Sequence, residues 1–370
     1  MLTASEARTF RKNLLAWFRE FQRDLPWRKN KDAYRIWLSE IMLQQTRVAA
    51  VIPYYERFLA RFPTVTALAE APTEDVLRLW SGLGYYSRAR NLQRAAQQIV
   101  DKHAGEFPPN ESDALALPGI GAYTSAAILS IAFDHRHAVL DGNVARVIAR
   151  VFAVRGDLRE PAHWQELQRK ADELLERHSP GDWNQAMMEL GATICLPRSP
   201  QCLVCPVMKF CAARKEGLQE AIPEKRKKRA PVAVQLAAAI FVDAKGDTLL
   251  LPPPRPGAEK ITAEHVPTLV SKMWHFPTIA VAENPRAELE RHLKCEFAFD
   301  KKRGAPLVAL SRVRHSVTYR QIVIFGFRID LEKLPLLDGA KTIALDDLSS
   351  VPISNLTRKI ARAAIMSATR

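Results

Sequence analysis

No apolar run in this 370-residue chain approaches the roughly 18 residues that a membrane-spanning helix needs. Its opening stretch, Met1 to Phe18, is too polar for a secretory signal. The expectation is a soluble, cytoplasmic protein with no membrane partner. Acidic residues are also short: 40 aspartates and glutamates face 54 lysines and arginines, a net charge of +14 with a pI near 9.7. The excess is spread along the chain, so this is not a neutral protein with a basic tag. A surplus of this size favours a polyanion, with nucleic acid first. Internal repeats are absent. Hydrophobic residues at 47% and charged residues at 25% exclude a disordered chain, and the length suggests two domains, three at most.

Apolar residues at three- and four-residue spacing predict helices over 34–60, 74–81, 88–102, 122–133, 143–153 and 163–177. Pro, Gly, Asp and Asn clusters punctuate them, as at Phe107-Pro108-Pro109-Asn110. A helical domain over 1–221 is followed by a charge-dense, proline-bracketed linker at 222–231. The basic run 225–229 reads as solvated linker, with phosphate contact as the alternative. Beyond it, Val232–Val242, Thr248–Leu251, Leu307–Leu310 and Val313–Phe327 read as strands, and Ala287–Leu293 and Asn355–Met366 as helices. The domain over 232–370 is therefore α+β.

Cysteine is scarce, at five residues, yet four fall within one short window as Cys195, Cys202, Cys205 and Cys211. Nothing indicates secretion, so disulfides are not expected. Four thiolates can hold zinc or a [4Fe–4S] cluster. Only Cys202 and Cys205 form a close pair, which favours the cluster while leaving zinc open. Cys295 stands alone and reads as a buried residue.

Leu117-Pro118-Gly119-Ile120-Gly121 precedes a helix over Tyr123–Phe133. Two glycines two apart permit a tight turn that exposes N–H groups at a helix start, suited to a phosphate oxygen. A plain turn between helices is the alternative. Two carboxylates sit in unlikely places. Glu40 lies among Trp37, Leu38, Ile41, Met42 and Leu43, where burial would raise its pKa and keep a proton available. Pairing with an arginine is the bland alternative. Asp141 follows Ala138-Val139-Leu140 and precedes a helix, as an N-cap would, and a helix start keeps such a group ionised. A protonated acid and a fixed anion are the two parts that glycosidic cleavage requires.

Together these residues resemble the MutY family of adenine DNA glycosylases, within the helix-hairpin-helix superfamily that also holds endonuclease III. The matching stretches are Leu25-Pro26-Trp27-Arg28, Trp37 to Val48, Gly82 to Arg90, Leu117–Thr124, Leu140 to Val144, Asn184 to Ala192 and the cysteine window. They span nearly all of 8–215, and Leu43-Gln44-Gln45-Thr46 is more specific than the glycine turn. The resemblance implies an all-α glycosylase domain with an iron–sulfur loop at 195–211 carrying a [4Fe–4S] cluster. It implies removal of adenine mispaired with 8-oxoguanine or guanine in double-stranded DNA, by a monomer.

By the same resemblance, Glu40 protonates adenine N7 and Asp141 stabilises the oxocarbenium-like sugar. Tyr123 and Asn143 support them. Trp27, Arg28, Leu43 and Gln185 surround the extruded adenine. Gln45 and Tyr85 wedge into the duplex, and Gly119 and Gly121 hold phosphate. Bifunctional relatives carry a Schiff-base lysine at the position of Tyr123, so a monofunctional glycosylase is expected.

Residues 232–370 resemble the Nudix-like C-terminal domain of that family through Met273-Trp274-His275-Phe276-Pro277. A glutamate-rich Nudix box is missing, which excludes nucleotide pyrophosphate hydrolysis from the expectations. Where the family presents Phe-Ser-His for reading 8-oxoguanine, this chain has Val317-Thr318-Tyr319, and only the Thr318 hydroxyl is retained. As a strand, Ser311–Phe327 would place Arg312, Arg314, Ser316, Thr318 and Arg320 on one face, suited to phosphates. Two other readings remain: a thymine–guanine mismatch glycosylase and a catalytically idle DNA-binding protein.

Overall fold

A computed structural model of the chain describes residues 2–224, 230–253, 273–297 and 306–368. The basic run 225–229 lies outside them. The chain divides into two compact units, Met1–Ala71 with Arg90–Lys227, and Pro72–Ala89 with Lys228–Arg370.

The first unit is helical. Its elements are α1 (Ala4–Phe21), α2 (Ala33–Leu43), α3 (Val48–Arg61) and α4 (Val65–Glu70). After α5 (Thr73–Trp80), which belongs to the second unit, come α6 (Ser87–His103), α7 (Glu111–Ala116) and α8 (Ala122–Phe133). Then follow α9 (Gly142–Val151), α10 (Pro161–Leu174), α11 (Pro180–Thr193) and α12 (Ala212–Lys215). A Thr3/Glu6 capping box starts α1, which buries Phe10, Leu14, Leu15 and Phe18. Asp32 caps α2, whose Ile36, Trp37, Leu38 and Ile41 are buried. From Thr124 to Ile131, α8 is buried all round, so its apolar pattern shows no polar stripe. α11 approaches α9 closely: a Cβ on Gly191 would lie 2.8 Å from Asn143 Cβ.

The expected single helix over 34–60 is two. Gln45 has φ of 57°, a left-handed conformation that cannot continue a right-handed helix. Glutamine and threonine are weak breakers, so the apolar spacing on either side hides the interruption.

The second unit is a mixed sheet with helices packed on it. Its elements are β1 (Val232–Val242), β2 (Asp247–Leu250), β3 (Thr278–Ala280) and α13 (Pro285–Phe297). Next come β4 (Val308–Ala309), β5 (Val313–Val317), β6 (Arg320–Asp330), β7 (Lys341–Ala344) and α14 (Asn355–Ala368). The strand order is β4-β6-β1-β2-β7, with β3 also on β1 and β5 also on β6. β1 runs parallel to β6 and antiparallel to β2 and β3. Leu236, Ala238, Ile240 and Val242 pack with Leu356 and Ile360 of α14, while Ala237, Ala239 and Phe241 pack with Leu289 and Leu293 of α13. A strand covered on both faces needs an uninterrupted apolar run, which 236–242 supplies. Residues 72–89 join this unit by specific bonds. Ser81 Oγ donates to the Ile353 carbonyl at 2.6 Å, Asn355 Nδ2 donates to that of Gly82 at 3.1 Å, and Lys341 pairs with Glu74.

The expected strand over 311–327 is a hairpin, with β5 and β6 joined at Thr318-Tyr319. Arg314 and Ser316 are exposed on one face. Arg320 lies opposite Val317, so it shares the face of Val313, His315 and Val317 and leaves the predicted arginine row. Its guanidinium rests 4.8 Å from the Tyr319 ring centre.

Candidate active site

A cavity of about 540 Å³ opens within the first unit. Its walls include Trp27, Arg28, Glu40, Leu43, Gln45, Tyr123, Asp141, Asn143 and Gln185. Five chain regions converge there: the 3-10 turn Pro26–Arg28, α2 with the Gln44–Thr46 loop, the start of α8, the start of α9, and α11. Gly119 and Gly121 do not line it, and Tyr85 and Thr318 belong to the second unit.

Glu40 is 7% exposed. Its partner is a phenol rather than an arginine: Tyr123 Oη donates to Glu40 Oε2 at 2.6 Å. Burial pushes the Glu40 carboxyl up to about 7, against the Tyr123 bond and Arg28, which favour ionisation, while Asp141 adds to the rise. Burial also raises the Tyr123 phenol, with Glu40 and Asp141 contributing in the same direction.

Asp141 is the N-cap of α9. Its Oδ1 accepts from the Val144 and Asn143 backbone N–H groups at 2.7 and 2.9 Å, and its Oδ2 from Asn143 Nδ2 at 3.1 Å. The capping and functional readings are therefore compatible. Burial moves its pKa upward, opposed by those three bonds and by Arg146. Arg146 Nη2 donates to Asn143 Oδ1 at 2.9 Å and its Nε to the Cys195 carbonyl at 2.8 Å. One bonded chain thus runs from the Asp141 carboxylate to the cysteine window.

The cavity contains residues that the sequence reading missed. Glu189 is 1% exposed and accepts from Arg23 Nε at 2.6 Å and from Arg28 Nη2 at 2.8 Å. These contacts hold its pKa below the usual carboxylate value despite burial. They also explain why Arg28 is not bonded to Glu40. The signal was present, since a lone carboxylate in Met187-Met188-Glu189-Leu190 resembles the setting of Glu40. Met188 lines the cavity as well and accepts from Tyr123 Oη at 3.3 Å. Trp27 packs edge-on to Tyr55, with ring centres 5.3 Å apart.

The two glycines differ. Gly119 has φ of +81°, and a Cβ there would lie 2.9 Å from Asn91 Cβ. Gly121 is the N-cap of α8, with nothing within 4 Å of its Cβ position. Gly119→Ala should cost about 1–2 kcal/mol from backbone strain, with the Asn91 clash in addition. Gly121→Ala should leave thermal stability nearly unchanged. Equal melting temperatures for the two variants would contradict this assignment. Gln45, Tyr85 and Thr318, all expected DNA contacts, adopt positive φ and are exposed. Such conformations persist where surrounding structure enforces them.

Cys195, Cys202, Cys205 and Cys211 line one small cavity with Arg150. Arg150 is 2% exposed, and its Nη1 donates to Cys195 Sγ at 3.2 Å. Its Nη2 is buried and has no hydrogen-bond partner among the described residues. Burial pushes the Cys205 thiol up to about 12 and raises that of Cys211. Among the described residues, no three His, Cys, Asp or Glu side chains are placed to share one metal ion. Four cysteine sulfurs on one small cavity, beside a buried guanidinium with one unpaired nitrogen, are a donor set that fits a thiolate-held metal group.

Residues 38–177 match the HhH-GPD superfamily of base excision DNA repair proteins. This is the class to which the helical unit corresponds. An adenine DNA glycosylase of Rattus norvegicus is 33% identical over 412 residues, covering 97% of this chain and 78% of the relative. The chain belongs to the adenine DNA glycosylase family, enzymes that act on N-glycosyl bonds. A Homo sapiens adenine DNA glycosylase is 46% identical over 225 residues, 58% of this chain and 41% of that protein. One from Buchnera aphidicola is 41% identical over 221 residues, 60% of this chain and 63% of its own. The matched regions thus span less than two thirds of these last two. Among solved structures, a thermostable thymine-DNA glycosylase aligns with TM-score 0.53 and 29% identity, over 57% of this chain and 98% of that one. Endonuclease III in a trapped DNA complex aligns with TM-score 0.50 and 22% identity, over 59% of this chain and all of that one, which shows the fold alone.

Proposed function

We propose that this chain excises adenine mispaired with 8-oxoguanine or guanine in duplex DNA, by cleaving its N-glycosidic bond. The observation that carries the reading is that Glu40, which is buried, and Asp141, which is half-buried, meet on one cavity in different surroundings. Glu40, pushed up to about 7, keeps a proton to deliver to adenine N7. Asp141, fixed by three hydrogen bonds at a helix start, faces the sugar as positive charge develops. The adenine must leave the base stack to enter, at roughly a few kcal/mol. Trp27, Leu43 and Gln185 would bound it, and the Glu189–Arg28 pair offers an acceptor and a donor for its polar edge.

The four cysteines would hold a [4Fe–4S] cluster, with Arg150 donating toward it. Such a cluster ties the 195–211 loop together when bound. This chain's own bonds, from Cys195 through Arg146 and Asn143, connect that loop to Asp141.

Outside the cavity, Gly121 would leave the α8 N–H groups open to a phosphate. Gln45 and Tyr85 would enter the duplex. The second unit reads as a Nudix-like lesion reader without hydrolytic activity, and Thr318 at the exposed hairpin tip is its candidate contact. Arg312 and Arg314 would lie along phosphates. Replacing both with alanine should weaken binding to every duplex and flatten the log-affinity against log-salt slope by about 2. Arg320→Ala should not change that slope. An unaltered slope in the double variant would refute the contact.

The reading is tested by single-turnover cleavage of duplexes carrying A opposite 8-oxoG, A opposite G, and T opposite G, each quenched with and without alkali. Alkali-dependent cleavage at A, with none at T, is expected. Rapid nicking without alkali would contradict the monofunctional assignment of Tyr123, and cleavage at T would favour the mismatch alternative that the thymine-DNA glycosylase likeness raises.

A further inference from the structure

Tyr123 Oη lies 2.6 Å from Glu40 Oε2 and 3.3 Å from Met188 Sδ. A phenol carries one hydrogen, so the two acceptors compete for it. Their strengths depend on where the proton on Glu40 is. A neutral carboxyl oxygen and a thioether are both weak acceptors, whereas a carboxylate is a strong one. The charged and titratable groups facing Glu40 are Tyr123 from α8, Asp141 from the start of α9 and Arg28 from the 3-10 turn. Arg28 is engaged by Glu189. The Tyr123 bond is therefore the contact to Glu40 that can be redirected without moving an element, and Met188 of α11 is the group placed to redirect it.

We propose that Met188 is a positioning residue for the acid: its sulfur takes the Tyr123 hydroxyl hydrogen while Glu40 is protonated and yields it to the carboxylate after proton transfer. This rests on Glu40 acting as the acid. The proton moves from the Glu40 carboxyl to a nitrogen of the base. Tyr123 keeps its own hydrogen throughout and turns between acceptors. The sulfur thus gives the protonated state a bond that the ionised state does not need, and so holds the acid in its working form.

The sign follows directly. Met188→Leu fills similar space without an acceptor, so it removes support from the protonated state only. The pKa of the acid then falls, and the alkaline limb of the rate profile moves to lower pH. The experiment is single-turnover adenine release from an A:G duplex between about pH 5 and 9, for wild type, Met188→Leu, Tyr123→Phe and the double variant, with Glu40→Gln alongside. Relative to its own acidic plateau, Met188→Leu should be about threefold slower than wild type near pH 8. In the Tyr123→Phe background the same substitution should not move the limb. A limb in the same place for Met188→Leu and wild type overturns the proposal, as does an equal displacement with and without the phenol. If Glu40→Gln retains the wild-type rate and limb, the acid itself is misassigned and the role of Met188 falls with it. An inactive Glu40→Gln beside an unmoved Met188→Leu limb removes the role of Met188 alone.

Discussion

Glu40→Gln should reduce adenine release by roughly 10²–10⁴-fold, the range spanned by positioned general acids. Duplex binding should change little, because the substitution alters one buried group and no surface contact. The amide still accepts a hydrogen bond from Tyr123 but has no acidic proton to give. Wild type should show an alkaline limb near the Glu40 value of about 7, with the rate falling as the acid ionises. Stability carries the same signature. The folded-state pKa is raised above the ordinary glutamate value of 4.5, so the folded protein binds the proton more tightly than the unfolded chain. Stability contributed by the protonated group is complete below about 4.5 and is lost as pH rises through about 7. Glu40→Gln should therefore raise the melting temperature at alkaline pH and hardly alter it in acid. A variant equally active, or destabilised most at alkaline pH, would contradict the assignment.

Asp141→Asn separates the two roles of that residue. Asparagine caps a helix about as well as aspartate, so α9 should keep its start and the protein its melting temperature. The fixed negative charge is lost, and with it the stabilisation of a cationic sugar. A fall in rate of roughly 10²–10³-fold is expected, as for loss of one preorganised electrostatic contact. Asp141→Ala should add a stability loss of about 1 kcal/mol from the missing cap. An asparagine variant that is destabilised but fully active would make Asp141 a cap and nothing more.

Much of the site was legible because its carboxylates contradict their surroundings. Glu40 interrupts an apolar helix, and Asp141 stands between a buried extended segment and a helix start. Glu189 carries the same kind of signal in α11 and was overlooked among motif residues. Met188 had no comparable mark, since a methionine in an apolar helix reads as packing. Its contact with Tyr123 depends on how α11 meets α8, which no local pattern encodes. Arg23 was equally silent, because a cation after a helix end reads as a surface group until its partner is known.

The fold shows the same division. The apolar run of β1 marks a strand in the sequence, and the structure shows that helices cover it on both faces. The hairpin at Thr318-Tyr319 was hidden because β-branched and aromatic residues continue across it, without the glycine or asparagine that marks most tight turns. The break at Gln45 was hidden because apolar spacing resumes at once in α3. The attachment of residues 72–89 to the sheet unit rests on Ser81, Gly82 and Glu74 meeting Ile353, Asn355 and Lys341, pairs separated by more than 260 positions.

The most direct measurement is the amount of free adenine released by wild-type protein from a duplex with A opposite G or 8-oxoG, quantified chromatographically under single-turnover conditions. The account predicts one adenine per duplex, an intact abasic strand before alkali, and release by Glu40→Gln slowed by roughly 10²–10⁴-fold. Release of no base by folded wild-type protein that binds the duplex would contradict it.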